Sequence, residues 1–281
     1  MNNDGSSAIY GMLSALAYGF GDFVGGVNSK RSSVLSVILF SQLAGWMLYL
    51  ACALLFREAM PPVIDLIVAG AAGVIGVIGV GFIYQALSLG YMGITAPVSG
   101  VLAAAIPVVI GAATQGMPDA RTLVGFGVGL IAVWLVAGAA FGGRIDQRAL
   151  TLALLGGTAF GFGFVLYDRA AEHATVLPLI VARSTSITFM IGFGLVMRRR
   201  LTPEHRPSLP LILLGGVLDA LGNLFFIGAA QAGQLAVASV LSSLYPAVTV
   251  LCAWVILKER LKPLQWIGVG AALAAIALIV A

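Results

Sequence analysis

Residues 73–127 lie over residues 216–270 at a constant offset of 143, with no gap. The pairs Gly73/Gly216, Val74/Val217, Gly79/Gly222, Phe82/Phe225, Ala86/Ala229, Gly90/Gly233, Ser99/Ser242, Gly125/Gly268 and Gly127/Gly270 are identical. At an offset of 142, Ala17-Tyr18-Gly19-Phe20-Gly21 reads as Ala159-Phe160-Gly161-Phe162-Gly163. A chain written twice folds as two copies of one unit. When that unit is apolar throughout, the pattern is the mark of a carrier built from membrane repeats.

Only 9% of the 281 residues are charged and 60% are hydrophobic, at a mean hydropathy of +1.05. Soluble domains carry about a quarter charged residues. This chain cannot cover itself with polar surface, so its expected solvent is a lipid bilayer. The net charge of +4 does not mark a nucleic-acid partner, because the basic residues sit in short loops and form no basic face. Cys52 and Cys252 each fall inside an apolar run and read as small hydrophobes. No residue spacing implies a metal or a cofactor. Met1–Ser7 lacks a positive n-region, so the first apolar stretch is expected to be a retained span.

A span needs about 20 mostly apolar residues. Ten are expected: Ala8–Asn28, Val34–Phe56, Val63–Leu89, Ile94–Thr114, Arg121–Phe141, Ala149–Leu166, Val176–Met197, Leu211–Ala230, Ala236–Leu257 and Pro263–Ala281. The runs are continuous rather than alternating, which favours helices over a barrel. The expected fold is an all-α membrane protein of ten transmembrane helices. Residues 1–143 supply the first five-helix repeat and residues 144–281 the second, within one integrated domain. Five is odd, so two copies in series cross the bilayer in opposite senses, as inverted repeats. Loops after odd-numbered spans hold Lys30, Arg31, Arg144, Arg148, Arg198, Arg199, Arg200, Arg206, Lys258, Arg260 and Lys262. Loops after even-numbered spans hold only Arg57, Arg121 and Arg169. The positive-inside rule then puts the odd loops in the cytoplasm and both termini outside. The same asymmetry separates Lys258–Lys262 from the nearly neutral Asp119–Arg121 turn at the matching place in the first half.

Three stretches carry a family resemblance. Gly19-Phe20-Gly21-Asp22-Phe23-Val24-Gly25-Gly26 with Ser29-Lys30-Arg31 opens the chain. Ala96-Pro97-Val98-Ser99-Gly100-Val101-Leu102 runs on to Pro107. Leu244-Tyr245-Pro246-Ala247-Val248 precedes Leu257-Lys258-Glu259-Arg260-Leu261 and Gly268. Together they resemble the drug/metabolite transporter superfamily, in its EamA branch, over nearly the whole chain. That resemblance implies export of small metabolites across a bacterial inner membrane, with amino acids, aromatic ones among them, the expected cargo. Gly116-Met117-Pro118-Asp119 departs from the charged Glu-Arg turn that many halves of this family carry.

Polar residues inside apolar spans are the candidates for function, because an intramembrane charge costs about 3 kcal/mol and faces a cavity or a partner. Asp22 interrupts span one. It reads as a site for a substrate amine or a proton, or else as a structural acid that hydrogen-bonds the cytoplasmic end of a neighbouring helix or pairs with Lys30 or Arg31. Asp219 and Asn223, four apart in span eight, share a face. Their repeat mates, Gly76 and Val80, are small or apolar, so this half alone carries the acid. Arg183 in span seven stands where the other half has Ser41. It is about 10 Å from the outer end, within snorkelling reach, and a lipid-facing or packing arginine is expected before a carboxylate ligand. Tyr84, Gln85, Ser99, Ser242 and Tyr245 complete the polar inventory. Ser99 and Ser242 are expected to face each other across the repeat axis, although small hydroxyl residues also serve close helix contact. Tyr18 and Phe160, also mates, are expected as aromatic walls of a cavity or as ordinary core. Pro97, Pro107 and Pro246 are expected as kinks or hinges in spans four and nine.

The expected function is therefore secondary-active or facilitative export of small metabolites by alternating access around a cavity between the repeats. The expected partners are a small-molecule substrate, the lipid bilayer and protons. Multidrug efflux on the same fold is the rival reading, although the drug pumps of the superfamily rely on a deep Glu and every Glu here is in a loop. An intramembrane enzyme is not expected, since His173 and His205 are both in loops without metal-ligand spacing.

Overall fold

The computed structural model of the chain describes residues 3–89, 92–138, 147–203, 208–256 and 263–280. Across these residues the regular structure is helical throughout. The helices are α1 (Asn3–Ser29), α2 (Val34–Phe56), α3 (Val63–Ser88), α4 (Met92–Thr114), α5 (Ala120–Gly138), α6 (Gln147–Ala170), α7 (Val176–Val196), α8 (Leu209–Ala232), α9 (Leu235–Ser242), α10 (Tyr245–Ile256) and α11 (Pro263–Val280). Six segments are long and apolar enough to cross a membrane: α2, α3, α6, α7, α8, and Leu235–Ile256, which runs through α9 and α10. Val98–Thr114 and Ala120–Ala132 are shorter apolar stretches. The division of the chain after residue 143 and the basic loop Lys258–Lys262 lie outside the described residues.

The expected ninth span is two helices rather than one. Ser243 N–H bonds back to Ser239 O at 2.9 Å and Leu244 N–H to Leu241 O at 3.2 Å, which tightens the turn and closes α9. Pro246 has no N–H to continue the ladder but suits the first turn of a new helix, and α10 begins at Tyr245. α4 stays helical from Met92 to Thr114 through Pro97 and Pro107, the side chain of Pro97 being outside the described residues.

Helix ends are fixed locally and from a distance. Ser33 caps α2 by accepting Ser36 N–H at 3.3 Å, and Arg57, in the left-handed region at φ 47°, closes its far end on Ala53 O. The N-terminus of α7 is capped by a side chain from another loop. Glu58 accepts Thr175 N–H at 3.1 Å, Val176 N–H at 2.8 Å and Leu177 N–H at 3.2 Å. A carboxylate there meets three unsatisfied donors and the positive end of the helix dipole.

Helix contacts repeat when the halves are exchanged. α1 lies on α8 and α6 on α3; α2 lies on α8 and α7 on α3; α1 meets α9 and α10 as α6 meets α4. α2 also meets its own mate α7, α4 meets α9, and α5 meets α11. α2 and α7 run antiparallel. Trp46 Nε1 donates to Ser184 Oγ at 3.0 Å near one end of the α2–α7 contact, while Leu35 approaches Gly194 near the other. Likewise Gly111 adjoins Ala236, and Ser99 Oγ lies 3.3 Å from Tyr245 OH.

Glycine makes the crossings close. A Cβ on Gly73 would overlap the Ala182 carbonyl of α7, and one on its mate Gly216 would overlap the Ser41 carbonyl of α2. Hydroxyls bind the same crossings: Ser186 Oγ donates to Gly73 O at 2.7 Å, and Ser41 Oγ to Ile212 O at 3.2 Å. Such bonds contribute about 0.6 kcal/mol each in lipid, so tight van der Waals contact through glycine is the larger effect. An aromatic core fills the centre, where Phe164 stacks on the fully buried Phe226 with ring centroids 4.3 Å apart.

Candidate functional site

These crossings leave a narrow cleft between the halves. Its walls come from α1 (Tyr18, Asp22), α2 (Gln42), α3 (Gly76, Val77, Val80), α6 (Phe160, Phe164, Tyr167), α7 (Arg183, Ser186), α8 (Asp219, Asn223) and α10 (Tyr245). The space holds about 50 Å³, enough for a few waters but below the roughly 300 Å³ at which ligand pockets begin.

Arg183 organises its polar side. It is 4% exposed, and its guanidinium pairs with the Asp219 carboxylate and donates to the Gln42 side-chain oxygen. Its Cζ stands 5.6 Å from the centre of the Tyr49 ring, and Tyr49 OH donates to Ala220 O at 2.9 Å. Of the two readings expected from sequence, the lipid-facing arginine is corrected: Arg183 is buried and ion-paired inside the bundle. Snorkelling distance matters less than the presence of an acid on the next helix, because pairing spares both charges most of the cost of burial. The signal was present: Arg183 and Asp219 are lone opposite charges on adjacent spans, each opposite a small residue (Ser41, Gly76) in the other half.

Asp219 keeps 30% of its side-chain surface open to the cleft, and Asn223 Nδ2 donates to its backbone oxygen at 2.9 Å. α1 brings Asp22 close: a Cβ on Gly21 would sit 3.4 Å from Asp219 N. Among the described residues Asp22 has no hydrogen-bond or ion-pair partner, and the structural pairing with Lys30 or Arg31 is not made. Two carboxylates and one guanidinium share the cleft, and the Asp22 and Asp219 charges act on one another. With both carboxyls ionised, the centre would be one positive charge short.

The remaining candidates divide. Tyr18 and Phe160 both line the cleft, and Tyr18 lies 6.1 Å from Phe164 between ring centroids. Tyr245 lines it too and meets Ser99. Ser242 is buried with no partner for its hydroxyl, so Ser99 is joined to Tyr245 rather than to its repeat mate. Tyr84 is absent from the cleft wall and fills the space left by Gly25. Gln85 lines a different space. Gln42, Tyr49, Tyr167 and Ser186 were not singled out in sequence; single tyrosines and glutamines in apolar runs carry no periodic signal.

Gln85 belongs to a wide vestibule of about 770 Å³ at the end of the bundle that carries Arg198, Arg199 and Arg200. α2, α3 and α7 supply most of its wall, and Val77 lines both the vestibule and the cleft.

Comparison with known proteins agrees with this architecture. No curated protein sequence matches the chain. A solved structure, described only as the crystal structure of a protein, is 17% identical and is matched over 97% of each chain at a TM-score of 0.76, which shows a shared fold across both halves. Residues 147–281 match the EamA-like transporter family. The second half of this multi-pass membrane protein is thus similar to the EamA-like transporter family.

Proposed function

We propose that the protein exports small metabolites, amino acids foremost, by alternating access around the Asp22–Arg183–Asp219 cleft. The observation that carries this reading is a buried constellation with an unpartnered carboxylate opposite an arginine–carboxylate pair, placed where both halves meet. An intramembrane charge without a partner is retained against its cost only where something binds it. A zwitterion fits the set: its ammonium meets Asp22, and its carboxylate competes with Asp219 for Arg183. Tyr18, Phe160, Phe164 and Tyr167 provide an aromatic wall that favours aromatic side chains. Protons enter through the same two carboxylates, and a gradient supplies the energy.

Reciprocal helix contacts and antiparallel mates support two inverted five-helix repeats, residues 1–143 and 144–281, rocking about the cleft. The location proposed is a bacterial inner membrane, and the loop charges support an orientation with the Arg198–Arg200 end in the cytoplasm. On that orientation the vestibule lies at the cytoplasmic end of the bundle. Multidrug efflux is the second reading, favoured by the same aromatic wall beside a net negative centre, which also suits planar organic cations.

Counterflow in proteoliposomes with single amino acids, nucleobases, sugars and cationic dyes, at two external pH values, separates the readings. Exchange of amino acids is expected. Exchange of dyes alone would move the assignment to drug efflux, and no exchange of any compound would refute transport.

A further inference from the structure

The vestibule has features that transport of a small polar metabolite does not require. Leu35, Ile38, Val77, Phe82, Phe189 and Phe193 give it an apolar wall, with Phe189 and Phe193 stacked at 6.4 Å between centroids and partly exposed. Three consecutive arginines, all exposed, line the same space. The end of α7 presents them. Arg199 N–H bonds to Gly194 O at 2.8 Å and Arg198 N–H to Leu195 O at 3.2 Å, with Arg198 in the left-handed region at φ 48°. This is the turn that glycine fills most cheaply, yet the chain places a cation there. One cation satisfies the negative end of the helix dipole; three around an apolar hollow exceed that need. Among the described residues none of the three forms an ion pair.

We propose that this vestibule seats an anionic phospholipid, its phosphoryl headgroup on Arg198–Arg200 and an acyl chain along α2, α3 and α7 toward Val77. Charge complementarity identifies the headgroup, and the apolar wall below it identifies the chain. A soluble anion would meet the arginines and leave the wall in water. About 770 Å³ lies within the roughly 300–1,000 Å³ of a ligand site. Because Val77 is common to vestibule and cleft, the seated chain adjoins the transport site without belonging to it.

The test is native mass spectrometry of the full chain released from nanodiscs of equal phosphatidylglycerol and phosphatidylcholine. It compares wild type, Arg198→Gln/Arg199→Gln/Arg200→Gln, the corresponding triple lysine variant, and Gly81→Leu. Gly81 lines the vestibule and a Cβ there meets nothing within 4 Å, so leucine at this position is chosen to extend into the hollow. Wild type is expected to retain phosphatidylglycerol selectively. That selectivity falls about five-fold per arginine neutralised and survives in the lysine variant, while Gly81→Leu reduces retention of both lipids. Undiminished selectivity in the glutamine variant, undiminished retention in Gly81→Leu, or displacement of the lipid by inorganic phosphate would each overturn the proposal. Transport activity plays no part in the readout.

Discussion

Arg183 keeps a full charge among apolar helices because Asp219, Gln42 and the face of Tyr49 share it. Removing one partner of such a pair is worse than never having had it, since the survivor is left buried and alone. Arg183→Gln is therefore expected to lower stability in detergent by about 3 kcal/mol, the low end of the range because Asp219 is 30% exposed to the cleft. The double variant Arg183→Gln/Asp219→Asn should recover much of that loss on a thermal melt while remaining inactive in transport. Asp22 makes no protein contact that substitution would break, so Asp22→Asn should melt like wild type and lose at least ten-fold in exchange rate. If protons couple to transport, the pH dependence of exchange should flatten in Asp22→Asn or Asp219→Asn. Equal pH profiles in both variants and wild type would remove the acids from coupling. At this scale the acids were legible in sequence because an isolated Asp inside an apolar run stands out. Arg183 and Asp219 were each visible, and what stayed hidden was their pairing, which depends on how α7 and α8 face one another.

The elements are joined by the absence of side chains as much as by their presence. Gly73 and Gly216 each bring a helix against the backbone of another, so a Cβ at either forces the crossing apart. Gly73→Val and Gly216→Val are expected to lose about 2–3 kcal/mol, read as a lower melting temperature or loss of monodisperse protein. Gly163→Ala, where a Cβ meets nothing within 4 Å, serves as the neutral control. Glu58→Ala should destabilise by about 1 kcal/mol, because three N–H groups at the start of α7 lose their acceptor. Faster amide exchange at Val176 and Leu177 would report it. The break between α9 and α10 was only half legible: Pro246 announced an interruption, but Pro97 and Pro107 announced one equally and α4 runs through both.

At the scale of the whole molecule, the all-helical membrane fold was legible from the long apolar runs. The constant offset of 143 residues pairs Gly73 with Gly216 and Gly79 with Gly222, and all four lie at close helix crossings. The vestibule was not legible, because it is a space between α2, α3 and α7 rather than a property of any one of them. The proposed alternating access makes a direct demand on this architecture: the cleft must open to each side of the membrane in turn. Gly76 lines the cleft, and a Cβ there finds its nearest neighbour, Tyr167 OH, at 3.9 Å, so a cysteine is accommodated. The decisive measurement is labelling of Gly76→Cys by a membrane-impermeant thiol reagent, in a chain with Cys52 and Cys252 replaced by alanine. The reagent is supplied from one face of oriented vesicles at a time, with and without exchanged amino acid. Labelling from both faces, slowed by substrate, is predicted; labelling from one face only, or from neither, would contradict the account.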